Sequence, residues 1–181
     1  MLLRRQPFGA RNDRRSIAPT TRTPLPALGT RRFLIAPLAI NGALYYDLSL
    51  APVAFWSTVR SDGGDIRVCT QAGVQVAREV VALSVGAKTG SLFIAAGTGL
   101  AFFVYYGSGE AEPAAASTYG KYNVWTEYQT VWHGQDYNDS TAIQNTGTPT
   151  NMLAIGAGKI LNAWNGNGTG YVESGDLAAL H

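Results

Sequence analysis

From residue 33 onward the apolar residues come in short or alternating runs, separated by Gly, Asn, Asp and Ser at intervals of roughly 8–12 residues. Such spacing predicts short antiparallel strands. Residues 33–40 and 44–50 flank Asn41-Gly42, a dipeptide that favours a tight hairpin turn. Residues 53–59 and 65–69 read as strands on either side of the turn Ser61-Asp62-Gly63-Gly64. The run 74–85 reads as one long strand, because its valines outweigh a helical alternative over 75–83. Gly86 and Gly90 punctuate it, and residues 91–95 and 100–106 complete this half. Residues 108–117 read as a connection. Residues 119–132 are rich in aromatics, and 135–151 are polar without a period. Short strands are expected at 152–155, 159–164 and 170–173. The pattern predicts an all-β protein, an antiparallel β-sandwich or jelly-roll-like domain.

Residues 1–32 differ in kind. They hold eight arginines (Arg4, Arg5, Arg11, Arg14, Arg15, Arg22, Arg31 and Arg32) against the single acid Asp13, for a net +7. The remainder holds six basic and eleven acidic residues, for a net −5. Pro7, Pro19, Pro24 and Pro26 lie in the same segment, so it is expected to be extended rather than helical. The chain therefore divides into an extended basic arm at 1–32, a β-sandwich at 33–117 and a C-terminal β extension at 118–181. A basic arm on an acidic body seeks an acidic protein surface or a polyanion.

Charged residues make up 14% of the chain, against about 25% in an average domain, so neutral polar groups must cover its surface. No run approaches the roughly 18 apolar residues of a membrane helix, and no membrane partner is expected. The arginines follow Met1-Leu2-Leu3 too closely for the apolar core of a secretory signal. The lone Cys69 excludes an intramolecular disulfide framework.

Candidate chemistry is sparse. His133 and His181 are the only histidines, and with one cysteine they form no metal-ligand motif, so neither a metal nor a cofactor is expected. Asp136, Asn138 and Asp139 could offer oxygens to calcium, but they lack the EF-hand spacing and read better as self-capping turns. His133 could join a Ser-His-acid set, yet no serine sits in a nucleophile elbow. Gly166-Asn167-Gly168-Thr169-Gly170 lacks the lysine of a phosphate loop and reads as a glycine-bearing hairpin. Trp125, Trp132, Trp164 and Tyr171 are candidate glycan or interface contacts, since aromatic rings stack on sugar rings and equally fill interfaces.

Ser61-Asp62-Gly63-Gly64-Asp65-Ile66-Arg67-Val68, the later Tyr105-Tyr106-Gly107, and the junctions Val124-Trp125 and Val131-Trp132-His133 together resemble an uncharacterised all-β domain of bacterial and phage surface proteins. That domain precedes concanavalin-A-like or laminin-G-like jelly rolls. Asp139-Ser140-Thr141, Gly158-Lys159-Ile160 and Gly168-Thr169-Gly170-Tyr171-Val172-Glu173 resemble the opening of such a jelly roll. The resemblance carries no known catalytic residues. With the basic arm, it implies a non-enzymatic bacteriophage virion structural protein, a capsid decoration or a head–tail or tail accessory subunit. Such a protein assembles in the host cytoplasm, binds acidic surfaces of other virion proteins through its arm, and forms homo-oligomers. The alternative is a glycan-binding module for adsorption or for a cell surface. Nucleic-acid contact by the eight arginines is a further expectation, with binding that falls steeply with salt.

Overall fold

The computed structural model describes residues 31–40, 42–95, 101–152, 156–157, 162–164 and 166–174. Of the arm, only Arg31 and Arg32 fall among them. In chain order the strands are β1 (Arg31–Ile35), β2 (Leu38–Ile40), β3 (Ala43–Asp47), β4 (Arg67–Thr70), β5 (Gln75–Val76), β6 (Arg78–Ser84), β7 (Thr89–Ala95) and β8 (Phe102–Tyr106), followed by β9 (Thr148–Met152), β10 (Gly156–Ala157), β11 (Asn162–Ala163) and β12 (Gly166–Glu173). The first eight form two antiparallel sheets, in the orders β1-β8-β4-β5 and β2-β3-β7-β6. Two-stranded sheets β12-β9 and β10-β11 lie in the C-terminal part.

Alternation decides which residues meet between the sheets. Ile35, Val68, Phe102, Val104 and Tyr106 of the first sheet face Leu92 and Ile94 of the second, with Leu44, Tyr46 and Val80 packed beside them. This one cluster draws on both sheets, so the protein is an all-β sandwich. The opposite face of the second sheet is apolar too: Ala43, Val81 and Phe93 join Val124 and Trp125 from the 119–132 segment in a second cluster. That segment adds a third layer over the β2-β3-β7-β6 sheet.

Two expected strands change sheet midway. The run 33–40 leaves the first sheet after Ile35 and enters the second at Leu38, across Ala36-Pro37. Pro37 has no N–H to offer a ladder, which suits a corner. The run 74–85 divides in the same way into β5 and β6, with buried Ala77 at the corner. The expected hairpin between β2 and β3 is present, with Ile40 opposite Ala43 and Gly42 at φ +88°; Asn41 itself lies outside the described residues.

The strand expected at 53–59 is a correction. Val53–Trp56 is a helical turn, entered through Pro52 and preceded by a 3-10 turn at Leu48–Leu50 whose Ser49 N–H bonds Asp47 Oδ1 at 2.8 Å. A strand would send Phe55 and Trp56 to opposite faces. The helical turn buries both, with Phe55 edge-on to Phe33, Trp56 and Tyr106 at the end of the sandwich. The glycine-rich stretch expected as a hairpin instead belongs to β12, whose register against β9 shifts between Gly166 and Tyr171.

Candidate functional site

The Ser61–Val68 motif is a knot of polar bonds, exposed at Arg60 and Asp62 and buried from Gly63 onward. Gly63 adopts φ +67°, and a Cβ on Gly64 would meet the Glu112 nitrogen at 2.8 Å, so both positions require glycine. Asp62 accepts from the Gly64 N–H at 2.9 Å and pairs with Arg60 at 2.8 Å, and these bonds hold its carboxyl well below the usual range. Buried Asp65 accepts from the N–H groups of Arg60 and Gly107, tying the turn to the end of β8. Arg67 donates to the Gly64, Ile66 and Ala111 carbonyls. Arg78, 1% exposed, reaches across the sandwich to the Ile66 carbonyl at 2.9 Å and to Glu112 at 2.5 Å. Asp65, Arg67 and Arg78 are thus engaged inside the fold, with Asp62 at its surface.

A second polar centre lies on the outer face of β6. Glu79, 5% exposed, accepts from Trp125 Nε1 at 2.5 Å and Ser140 Oγ at 2.6 Å, and its Oε2 lies 3.0 Å from His133 Nε2. Phe93 supports the group from below, stacked on the His133 ring at 4.8 Å and packed against Trp125 at 5.2 Å. Burial alone pushes Glu79 up; the His133 bond and charge, with the bonds from Ser140 and Trp125, outweigh it and hold the carboxyl below its ordinary value. A Ser, a His and an acid therefore do meet, but the carboxylate is the hub. Ser140 donates to Glu79 rather than to His133, so the nucleophile–base bond of a hydrolase is not formed. A cavity of about 290 Å³ opens over this group, lined also by Lys121, Asp136 and Asn138.

Asp139 is a local hub. It accepts from the Val131, Thr141 and Asn145 N–H groups and from the Thr141 hydroxyl at 2.7–2.9 Å. Burial raises its pKa, but these bonds prevail and lower it. Asp136 caps the Asn138 N–H at 3.0 Å. These are the self-capping turns expected from the sequence. Among the described residues no cluster of three or more potential ligands could hold a metal ion.

The candidate aromatics separate. Trp125 is 6% exposed and belongs to the second core cluster. Trp132 donates to the Asn145 carbonyl at 3.1 Å and packs against Trp164 at 5.3 Å, which Tyr137 joins at 5.0 Å. Trp164 Nε1 is buried without a hydrogen-bond partner among the described residues. Tyr171 is 51% exposed on β12. Of the candidate arm contacts, Arg31 and Arg32 lie in β1. Arg31 bonds the Thr58 hydroxyl, and Arg32 bonds the Tyr105 hydroxyl while its guanidinium sits 4.3 Å from the Phe103 ring centre. Arg4, Arg5, Arg11, Arg14, Arg15 and Arg22 lie outside the described residues, as does His181.

Sequence reasoning missed Glu79 and Tyr137. A carboxylate inside an otherwise valine-rich strand was the available sign for Glu79. Fold and site together define an antiparallel β-sandwich whose polar centres brace its loops. Compared with known proteins, the chain matches no family model, no curated protein and no solved structure.

Proposed function

We propose that the chain is a non-enzymatic structural subunit of a bacteriophage virion: a capsid decoration or head–tail or tail accessory sandwich, tethered by its basic N-terminal segment. One observation carries the reading. The arginine-rich segment leads directly into β1, and β1 is an edge strand that pairs only with β8 among the described residues. A segment leaving from a sheet edge is placed to lie along a neighbouring subunit, where extended backbone can augment a sheet and arginines meet acidic groups. The polar centres agree with the same reading, since Asp65, Arg67, Arg78 and Asp139 bond mainly backbone groups and Glu79 bonds Trp125, Ser140 and His133, so each is engaged in bracing the fold. The resemblance of the Ser61–Val68 motif to phage and bacterial surface proteins agrees with it. Assembly follows in the host cytoplasm, and the partners are other virion proteins and further copies of this chain; nucleic acid is a lesser partner for the arm.

Mass spectrometry of particles purified from lysates of the bacterium carrying the gene tests this. The full chain is expected in fixed ratio to the shell or tail proteins, and a chain lacking residues 1–30 is expected to stay in the particle-free supernatant. Recovery of the full chain only from the surface of cells that make no particles overturns the reading.

A further inference from the structure

Tyr122, Trp125 and Tyr128 occupy every third position of the aromatic segment, and the backbone makes that spacing count. A 3-10 turn covers Lys121–Val124, the Trp125 N–H bonds the Tyr122 carbonyl, and the Tyr128 N–H bonds the Trp125 carbonyl at 3.0 Å. Successive bonds of this type bring side chains three apart onto one side. The three rings, with Trp125 and Tyr128 at 5.6 Å and 84°, border a cavity of about 360 Å³. That size lies near the lower end of small-molecule sites, roughly 300–1,000 Å³.

Its chemistry is specific. Among the described residues no charged one lines it, in contrast to the cavity over Glu79. Exposed Gln129 and Thr126, and half-buried Asn123, supply neutral donors and acceptors at the rim. The Asn123 amide is oriented by a 2.8 Å bond from Nδ2 to the Ser117 carbonyl, and its oxygen bonds no described residue. The Gln129 amide and the Tyr122 and Tyr128 hydroxyls bond no described residue. Ile143, 49% exposed, closes the apolar side. A neutral lining does not compensate an anion or a cation. Aromatic faces beside neutral hydrogen-bonding groups suit a ligand with an apolar face and a polar perimeter.

We infer that this cavity binds a neutral pyranose ring, stacked on the tyrosines and held at its hydroxyls by Gln129 and Asn123. The site is separate from the Trp132–Trp164–Tyr137 cluster, whose rings pack on one another. It holds whether or not the chain belongs to a virion, and the two readings fail in different experiments.

The test is an NMR titration of the full chain with the methyl glycosides of glucose, galactose, mannose and N-acetylglucosamine. At least one is expected to saturate, with shifts at Tyr122, Trp125, Tyr128 and Gln129 and magnetisation transfer to its ring protons. Gln129→Ala should weaken binding roughly three- to tenfold, the value of one hydrogen bond, and Ile143→Arg should abolish it by filling the rim. Both positions are exposed, so both variants keep the parent amide spectrum. The inference is overturned if no glycoside saturates, if the shifts map to Trp132 and Trp164, or if both variants bind as the parent does. Tighter binding of N-acetylphenylalanine amide than of every glycoside also overturns it, because the cavity would then be a protein-contact pocket.

Discussion

Replacing Glu79 by alanine removes the acceptor shared by Trp125, Ser140 and His133. Trp125 and Ser140 are buried, and their donors would have nothing to bond; each costs about 1–3 kcal/mol. His133, beside the cavity, can turn to water, so its loss is smaller. Together the change is expected to destabilise the fold by about 3–5 kcal/mol, the usual cost of removing one partner from a buried charged pair. That is a large part of a typical domain's total. Glu79→Gln keeps one oxygen for Trp125 and turns an NH2 towards the Ser140 oxygen, which can accept, so it should cost about 1–2 kcal/mol. Urea unfolding followed by tryptophan fluorescence measures both, with a common slope if only stability has changed. Acid titration supplies a second readout. The folded pKa of Glu79 lies below its ordinary value of 4.5. The stability it contributes is therefore complete above about pH 4.5 and is lost as pH falls through the lower folded value, a dependence the alanine variant should lack. An alanine variant within about 1 kcal/mol of the parent would refute the hub, as would a glutamine variant no better than alanine.

Three further outcomes follow from the same structure. Arg78→Ala should cost about 1–3 kcal/mol, because it empties a buried position and removes one of the two guanidinium donors to the Ile66 carbonyl, the other being Arg67, whereas Glu112→Gln, at a half-exposed partner, should cost under about 1 kcal/mol; urea midpoints compare them. Cys69 is buried and its thiol is pushed up to about 11, so a disulfide thiol reagent at mildly alkaline pH should label it only after denaturant is added, and rapid native labelling would contradict its placement. Lys88 is exposed at φ +56°, so Lys88→Gly should raise stability by up to about 1 kcal/mol, read from the thermal midpoint.

The sequence by itself determined the antiparallel β character, the turn at Ser61–Gly64, the capping turns at Asp136 and Asp139, and the division of charge between arm and body. Each is a local property: alternation, glycine content, an Asx side chain beside its own backbone. Tertiary structure alone decided the rest. The runs 33–40 and 74–85 are locally continuous, and only closing two sheets over one core bends each at Ala36-Pro37 and Ala77. Val53–Trp56 is a short continuous apolar run that a buried strand would also show, yet the open end of the sandwich is filled only if Phe55 and Trp56 point inward together. The sequence leaves Trp125 a candidate glycan or interface contact because its covering partners, Phe93 and Glu79, lie far back in the chain. His133 and Ser140 are separated by 54 and 61 residues from Glu79, the carboxylate they share. Loop-closure entropy does not single out such pairs in advance; burial selects them, because an unpaired carboxylate under the third layer would be too costly to keep.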